Sequence, residues 1–268
     1  MSTILDRILA TVRDRLARRK QRVSVTALED EPLFDQPRRD FAAALTGDSL
    51  AIISEIKRAS PSAGVIRADF DVATLARQYQ DGGAAALSIL TEPDHFQGAL
   101  SFLPEARVAV DRPLLRKDFI IDPYQLVEAR AHGADAVLLI ASALDPRQLY
   151  DLHQAADELG LQCLVELYEH RELDQVDFDQ VRILGVNNRN LHTFEVDIEH
   201  SLRVFADAPD GAVRVSESGL RTAEELAHVQ AHGVDAVLMG ETLMRADDPG
   251  AALQALRDAT AAAAPNPQ

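Results

Sequence analysis

Short apolar runs recur along the chain, beginning near residues 50, 85, 113, 134, 161, 181, 212 and 234. Such continuous runs predict strands buried on both faces, as in a parallel sheet covered by helices. Between them, apolar positions follow helical spacing over 72–80, 100–110, 123–132, 146–159, 168–176, 198–206, 222–232 and 249–261. Asp71 precedes the first of these, and Asp122-Pro123 and Asp145-Pro146 read as an N-cap followed by proline at the first helical position. Eight strands alternating with eight helices over short connections predict a single (β/α)8 TIM barrel rather than an open doubly wound sheet. An internal echo supports closure: ARAHGADAVLLIA (129–141) recurs as VQAHGVDAVLMGE (229–241), half a barrel apart, with DGGAAALSIL (81–90) as a weaker third copy. In each, a glycine ends a helix and a strand follows almost at once. Residues 1–47 precede the first strand as an N-terminal helical extension packed on the barrel, either capping one end or forming a lid near the active mouth. The barrel proper is expected over 48–262 and a flexible tail over 263–268.

Burial does not explain how four of the apolar runs end. AIISEIKR (51–58) carries Glu55 and Lys57, PLLRKDF (113–119) carries Lys117, LQCLVEL (161–167) carries Glu166, and VRILGVNNRN (181–190) carries Asn187 and Arg189. One or two such residues are explained by structural ion pairs. Four at matching positions point to chemistry gathered at the C-terminal mouth of a barrel. Residues 55 and 57 share strand parity and so face the same way, as do 187 and 189. VRVSESGL (213–220) then brings Glu217, Ser218 and Gly219 to the end of the seventh strand, and AVLMGETL (236–243) brings Gly240 to the end of the eighth. Glycines at these two loops let backbone N–H groups approach a phosphate.

Composition narrows the partners. A net charge of −16 over 268 residues argues against nucleic acid or an anionic membrane as partner, and requires concentrated local cations wherever an anion binds. No run reaches the ~18 apolar residues of a membrane span, and the N-terminus lacks a signal-peptide pattern. The single Cys163 excludes an intramolecular disulfide and a cysteine-rich metal site, and it reads as a small buried thiol in a cytoplasmic protein. No spacing of histidines and carboxylates assembles a metal site. His132 and His232 fall at helix ends, and ARRKQR (17–22) reads as a solvated helix end.

The segments SEIKRASPSAG (54–64), SILTEPDHFQG (88–98), LLRKDFIIDPYQ (114–125), LVELY (164–168), LGVNNRNL (184–191), VSESGL (215–220) and LMGETLM (238–244) together resemble the indole-3-glycerol phosphate synthase family. The resemblance implies a cofactor-free carboxy-lyase of tryptophan biosynthesis acting on 1-(2-carboxyphenylamino)-1-deoxyribulose 5-phosphate, a small anionic sugar-phosphate derivative. It implies Lys117 as the principal acid and Glu166 as base or proton shuttle. The later proton transfers divide among Lys57, Glu55 and Glu166 in a way that stays open. By the same resemblance Arg189 suits the carboxylate and Asn187 a hydroxyl, with Glu217 and Ser218 completing the polar lining. Gly219, Gly240, the backbone of Glu241, Lys57 and Ser60 would bind phosphate. Phe119, Phe96 and Leu191 would wall the aromatic ring, although Phe96 and Leu191 serve equally as packing residues. His95 stands where the family often has an aromatic residue, and Asn188 where a small hydroxyl residue is common. A related isomerase would need a cysteine base at an early strand, whereas Cys163 lies in the fifth strand with parity opposite to Glu166. A non-enzymatic sugar-phosphate sensor is disfavoured because Lys57, Lys117 and Glu166 are all present. One barrel leaves no room for a fused isomerase domain, and a monomer or weak homodimer is expected.

Overall fold

The computed structural model describes residues 3–190 and 193–263. Eight parallel strands close into a barrel: β1 (Ala51–Ile56), β2 (Ala86–Leu90), β3 (Leu114–Lys117), β4 (Ala136–Ile140), β5 (Gln162–Leu167), β6 (Ile183–Asn187), β7 (Val213–Glu217) and β8 (Ala236–Met239), with β8 pairing back onto β1. The alternation of side chains divides the core in two. Ile53, Leu115, Leu138, Leu164, Val215 and Leu238 point inward and fill the barrel, while Ile52, Leu87, Leu114, Val165 and Val237 point outward against the helices. Cys163 belongs to the outer layer, turned away from the mouth. The echoed glycines Gly133 and Gly233 both adopt left-handed backbone (φ 85° and 81°), the turn that lets each helix give way directly to a strand.

Seven of the eight strands are followed by the expected α-helix; β5 is not. The helical reading of 168–176 is corrected to a short 3-10 turn, His170–Gln175. Glu172 folds back to accept the N–H groups of Tyr168 and Glu169, and the Asp177 side chain accepts from Asp179 N, starting a turn where a helix would have continued. Asp174, Asp177 and Asp179 also place negative charge where a helix C-terminus disfavours it. The last helix runs through Ala263, so residue 263 is not part of a tail, and 264–268 lie outside the described residues.

The N-terminal extension touches both ends of the barrel. Its first helix, α1 (Ile4–Arg22), lies across the C-terminal mouth. Arg15 reaches Glu92 (2.8 Å) and Asp94, Arg19 reaches Glu128, and Lys20 reaches Asp122 (2.6 Å). The basic run 17–22 is therefore not simply a solvated helix end, because Arg19 and Lys20 bind barrel carboxylates. The chain then descends the outside. A short helix, Phe41–Ala44, plugs the opposite end, with Phe41 and Leu45 fully buried beneath the inner core. Gln162, at the start of β5, holds that plug by accepting the N–H groups of Phe41 (2.6 Å) and Ala42 (2.9 Å). No helix among the described residues is long and apolar enough to cross a membrane.

Candidate active site

Strand register decides which polar groups meet at the mouth. Parallel pairing sets Glu55 beside Ser88, Glu166 beside Gly185 and Asn187 beside Glu217. The inward side chains at these strand ends line one cleft of about 1210 Å³, including space open to solvent. Glu55, Lys57, Ser60, Phe96, Lys117, Phe119, Glu166, Asn187, Arg189, Glu217, Ser218, Gly219, Gly240 and Glu241 all line it. Leu191 lies outside the described residues.

At its centre Lys117 Nζ sits 3.0 Å from Glu166 Oε2 and 2.5 Å from Glu217 Oε2. Burial works against its charge, but Glu166, Glu217 and Glu55 outweigh that and raise its pKa, so Lys117 is an ammonium. Lys57 pairs with Glu55 at 2.5 Å. Three carboxylates thus face two ammonium groups, and one carboxylate is forced to give way. It is Glu217: burial, reinforced by repulsion from Glu166, pushes its pKa up to about 8 against the pull of Lys117. Its Oε1 has no hydrogen-bond partner among the described residues.

Around this centre the cleft differentiates. Asn187 Nδ2 lies 3.5 Å from Glu166 Oε1, and its Oδ1 accepts the backbone N–H of Arg189 at 3.0 Å. The Arg189 guanidinium donates to Phe194 O (3.3 Å) and is 3.9 Å from Glu241, which leaves it only loosely held and open to a carboxylate. Phe96 and Phe119 form an apolar wall, their ring centroids 6.2 Å apart. On the opposite side, Ser218 and Gly219 both adopt left-handed backbone (φ 70° and 86°), and Gly240 packs so closely that an added Cβ would lie 2.4 Å from Glu55 Oε1. The Ser60 hydroxyl already caps a local turn by accepting Ala63 N at 3.2 Å. His95 sits beside Glu92, 3.5 Å from its carboxylate.

Sequence reasoning missed part of the lining. Ile4, Leu5 and Ile8 of α1 form an apolar roof, and Phe194 (φ 61°) projects from the loop after β6. Phe194 shows no strand-end pattern, and α1 is separated from its barrel partners by long stretches of chain, so neither left a local signal. Gly185 was also missed. Its lack of a side chain makes room for Glu217, since a Cβ there would lie 2.4 Å from Glu217 Oε1. Among the described residues no group of three His, Cys, Asp or Glu side chains is placed to hold a metal ion.

A closed eight-stranded barrel with its charged groups at the C-terminal mouth, and glycine turns after β7 and β8, belongs to the class of TIM-barrel enzymes. The same fold occurs in the crystal structure of a 3-hexulose-6-phosphate synthase, with a TM-score of 0.64, 18% identity, and coverage of 78% of this chain and 99% of that one. Within the class, the family model of indole-3-glycerol phosphate synthase matches residues 5–256. The indole-3-glycerol phosphate synthase of Salinibacter ruber is 56% identical over 95% of both chains, and that of Rhodopirellula baltica is 50% identical over 95% of this chain and 98% of its own. The chain belongs to the indole-3-glycerol phosphate synthase family.

Proposed function

We infer that this chain closes the indole ring. It converts 1-(2-carboxyphenylamino)-1-deoxyribulose 5-phosphate to indole-3-glycerol phosphate with loss of carbon dioxide and water, as a carboxy-lyase of tryptophan biosynthesis. The observation that carries the residue roles is the Lys117 ammonium, held between two carboxylates at the centre of the cleft.

Ring closure joins the ring carbon bearing the carboxylate to the ribulose carbonyl carbon, and negative charge grows on the carbonyl oxygen. Lys117 donates a proton to that oxygen, which becomes a hydroxyl. Its charge is secured by its carboxylate neighbours, and its burial strengthens its attraction to the developing oxyanion. Carbon dioxide then leaves with its bonding pair remaining on the ring. The new hydroxyl departs as water once an acid protonates it and a base removes a ring-side proton. Glu166 takes the part of the base, and the Lys57–Glu55 pair, across the cleft, that of the acid. Arg189 holds the carboxylate until it leaves and Asn187 a sugar hydroxyl, while Phe96 and Phe119 flank the aromatic ring. Ser218, Gly219, Gly240, the Glu241 backbone and Ser60 surround the phosphate, with Lys57 supplying positive charge against a net charge of −16. No step calls for a cofactor. A buried lone thiol fits a reducing cytoplasm, and the site is built from one chain, as a monomer or weak homodimer requires.

The protein contains no Trp, so product indole fluorescence rises over little background. Wild-type protein incubated with the substrate gives a growing indole signal. Lys117→Ala lowers kcat by at least about a hundredfold with a much smaller change in KM, because this contact strengthens in the transition state. Unchanged kcat in that variant would remove Lys117 from the chemistry. Arg189→Ala instead raises KM, and normal binding there would take it out of the carboxylate site.

A further inference from the structure

We propose that Asn188, buried behind the cleft and touching no substrate, is the positioning residue that aims the Gly219 amide at the substrate phosphate. The proposal rests on the reading of Ser218 and Gly219 as the phosphate side of the site.

Asn188 follows β6 directly, between two cleft residues, and its parity turns it outward. It is 2% exposed. Its Oδ1 accepts Ser201 N at 3.0 Å, and its Nδ2 donates to Ser216 Oγ at 2.9 Å and to Ser218 O at 3.2 Å. The amide orientation is fixed by its partners, since a backbone N–H only donates and a backbone carbonyl only accepts. Beyond it, Ser216 Oγ and Ser201 Oγ are 2.8 Å apart, and Ser201 Oγ donates onward to Ile198 O at 3.4 Å. One side chain thus binds the end of β6 to the turn after β7 and to the helix Glu199–Asp207.

The bond to Ser218 O matters for function because of peptide geometry. A trans peptide is planar, with its C=O and the next residue's N–H pointing in opposite directions. Asn188 draws the Ser218 carbonyl back behind the sheet, so the Gly219 N–H is directed the other way, towards the cleft that Gly219 lines. That N–H donates to no acceptor among the described residues. Ser218 is a non-glycine residue at φ 70°, a conformation that persists only where the surroundings hold it. Without the Asn188 donor, the peptide between residues 218 and 219 is free to rotate, and its N–H no longer faces a bound anion.

The test is competitive inhibition by inorganic phosphate, measured alongside KM and kcat, in wild type, Asn188→Ala and Ser216→Ala. The expected result is that Asn188→Ala weakens phosphate inhibition and raises KM by about tenfold, the scale of one lost hydrogen bond, while kcat stays within about threefold. Ser216→Ala leaves the Ser218 carbonyl bond intact and stays within about threefold of wild type on all three measures. Equal losses in both variants would show that the network acts by packing alone and would overturn the proposal, as would unchanged phosphate inhibition in Asn188→Ala. Should Asn188→Ala not fold, Asn188→Leu, similar in size and lacking any hydrogen-bonding group, is held to the same outcomes. Turnover by the wild type without phosphate competition would instead overturn the phosphate reading of Gly219, and this proposal with it. Intact wild-type competition with an unaltered variant overturns only the role of Asn188.

Discussion

At the scale of single residues, the site is governed by a shortage of positive charge. Glu55, Glu166 and Glu217 share Lys57 and Lys117, and the most enclosed of the three keeps its proton. Glu217 therefore has a pKa near 8 when folded, against an ordinary value of 4.5. Below pH 4.5 the group is protonated in the folded and unfolded chain alike, and its contribution to stability is fully present. As pH rises towards 8 the unfolded chain releases a proton that the folded chain retains, so stability falls, and the loss is complete once the folded group also ionises. Glu217→Gln keeps an acceptor for Lys117 but does not titrate. From about pH 5 to about pH 8 the wild-type thermal midpoint is expected to fall more steeply than that of the variant. Parallel curves would mean that Glu217 ionises normally. Gly185 is part of the same balance. A methyl group at that position displaces the Glu217 carboxylate, so Gly185→Ala is expected to cut kcat at least about tenfold, a loss visible in the fluorescence assay.

At the scale of elements, α1 acts as a strap rather than a detached lid. Its Arg15 meets Glu92, which is fully buried and also accepts the N–H groups of Asp94, His95 and Phe96. Because those three bonds survive, Arg15→Ala is expected to cost about 2 kcal/mol, less than the roughly 3–5 kcal/mol typical of breaking a buried pair. Ile4, Leu5 and Ile8 then lose their seat over the cleft, so KM should rise several-fold with kcat little changed. Steady-state kinetics with a denaturant melt checks both parts, and an unchanged KM would show that the roof does not contact substrate. This strap also marks where the sequence stopped being legible. The strand-end residues announced themselves because each interrupts an apolar run, and parity alone told Glu166 from Cys163. Arg15 and Glu92 are separated by 77 positions and Arg19 and Glu128 by 109, so no local pattern connects them. Asn188 was visible only as a departure from a resembled motif, and its reach to Ser201 and Ser218 depends on strand register. The missing helix after β5 was obscured for the opposite reason: apolar spacing over 168–176 fitted a helix, while acidic side chains folded the same residues into a tight turn.

At the scale of the whole molecule, the barrel separates the work of its two ends. The C-terminal mouth holds buried and partly neutralised charge, which is costly to stability, and the opposite end is closed by apolar packing with satisfied backbone. Phe41 fits into the inner core with no exposed surface, while Gln162 and Asp40 satisfy the N–H groups of the first turn of its helix. Asp135, also fully buried, accepts from Arg107, from Arg39 N and from Leu114 N, and so ties the descending chain to the base of the barrel. Truncating the plug therefore opens a cavity that these anchored neighbours cannot collapse into. Phe41→Ala is expected to cost about 3–5 kcal/mol, the range for a large buried aromatic. For a chain of this length that lowers the thermal midpoint by about 10 °C. Because the inner layers of Ile53, Leu115, Leu164 and Val215 lie between the plug and the catalytic groups, kcat and KM measured well below the transition should stay within about twofold of wild type. Calorimetry and kinetics on the same preparation test this separation: a large fall in kcat together with the midpoint would mean that the inner layers transmit strain from the base of the barrel to Lys117.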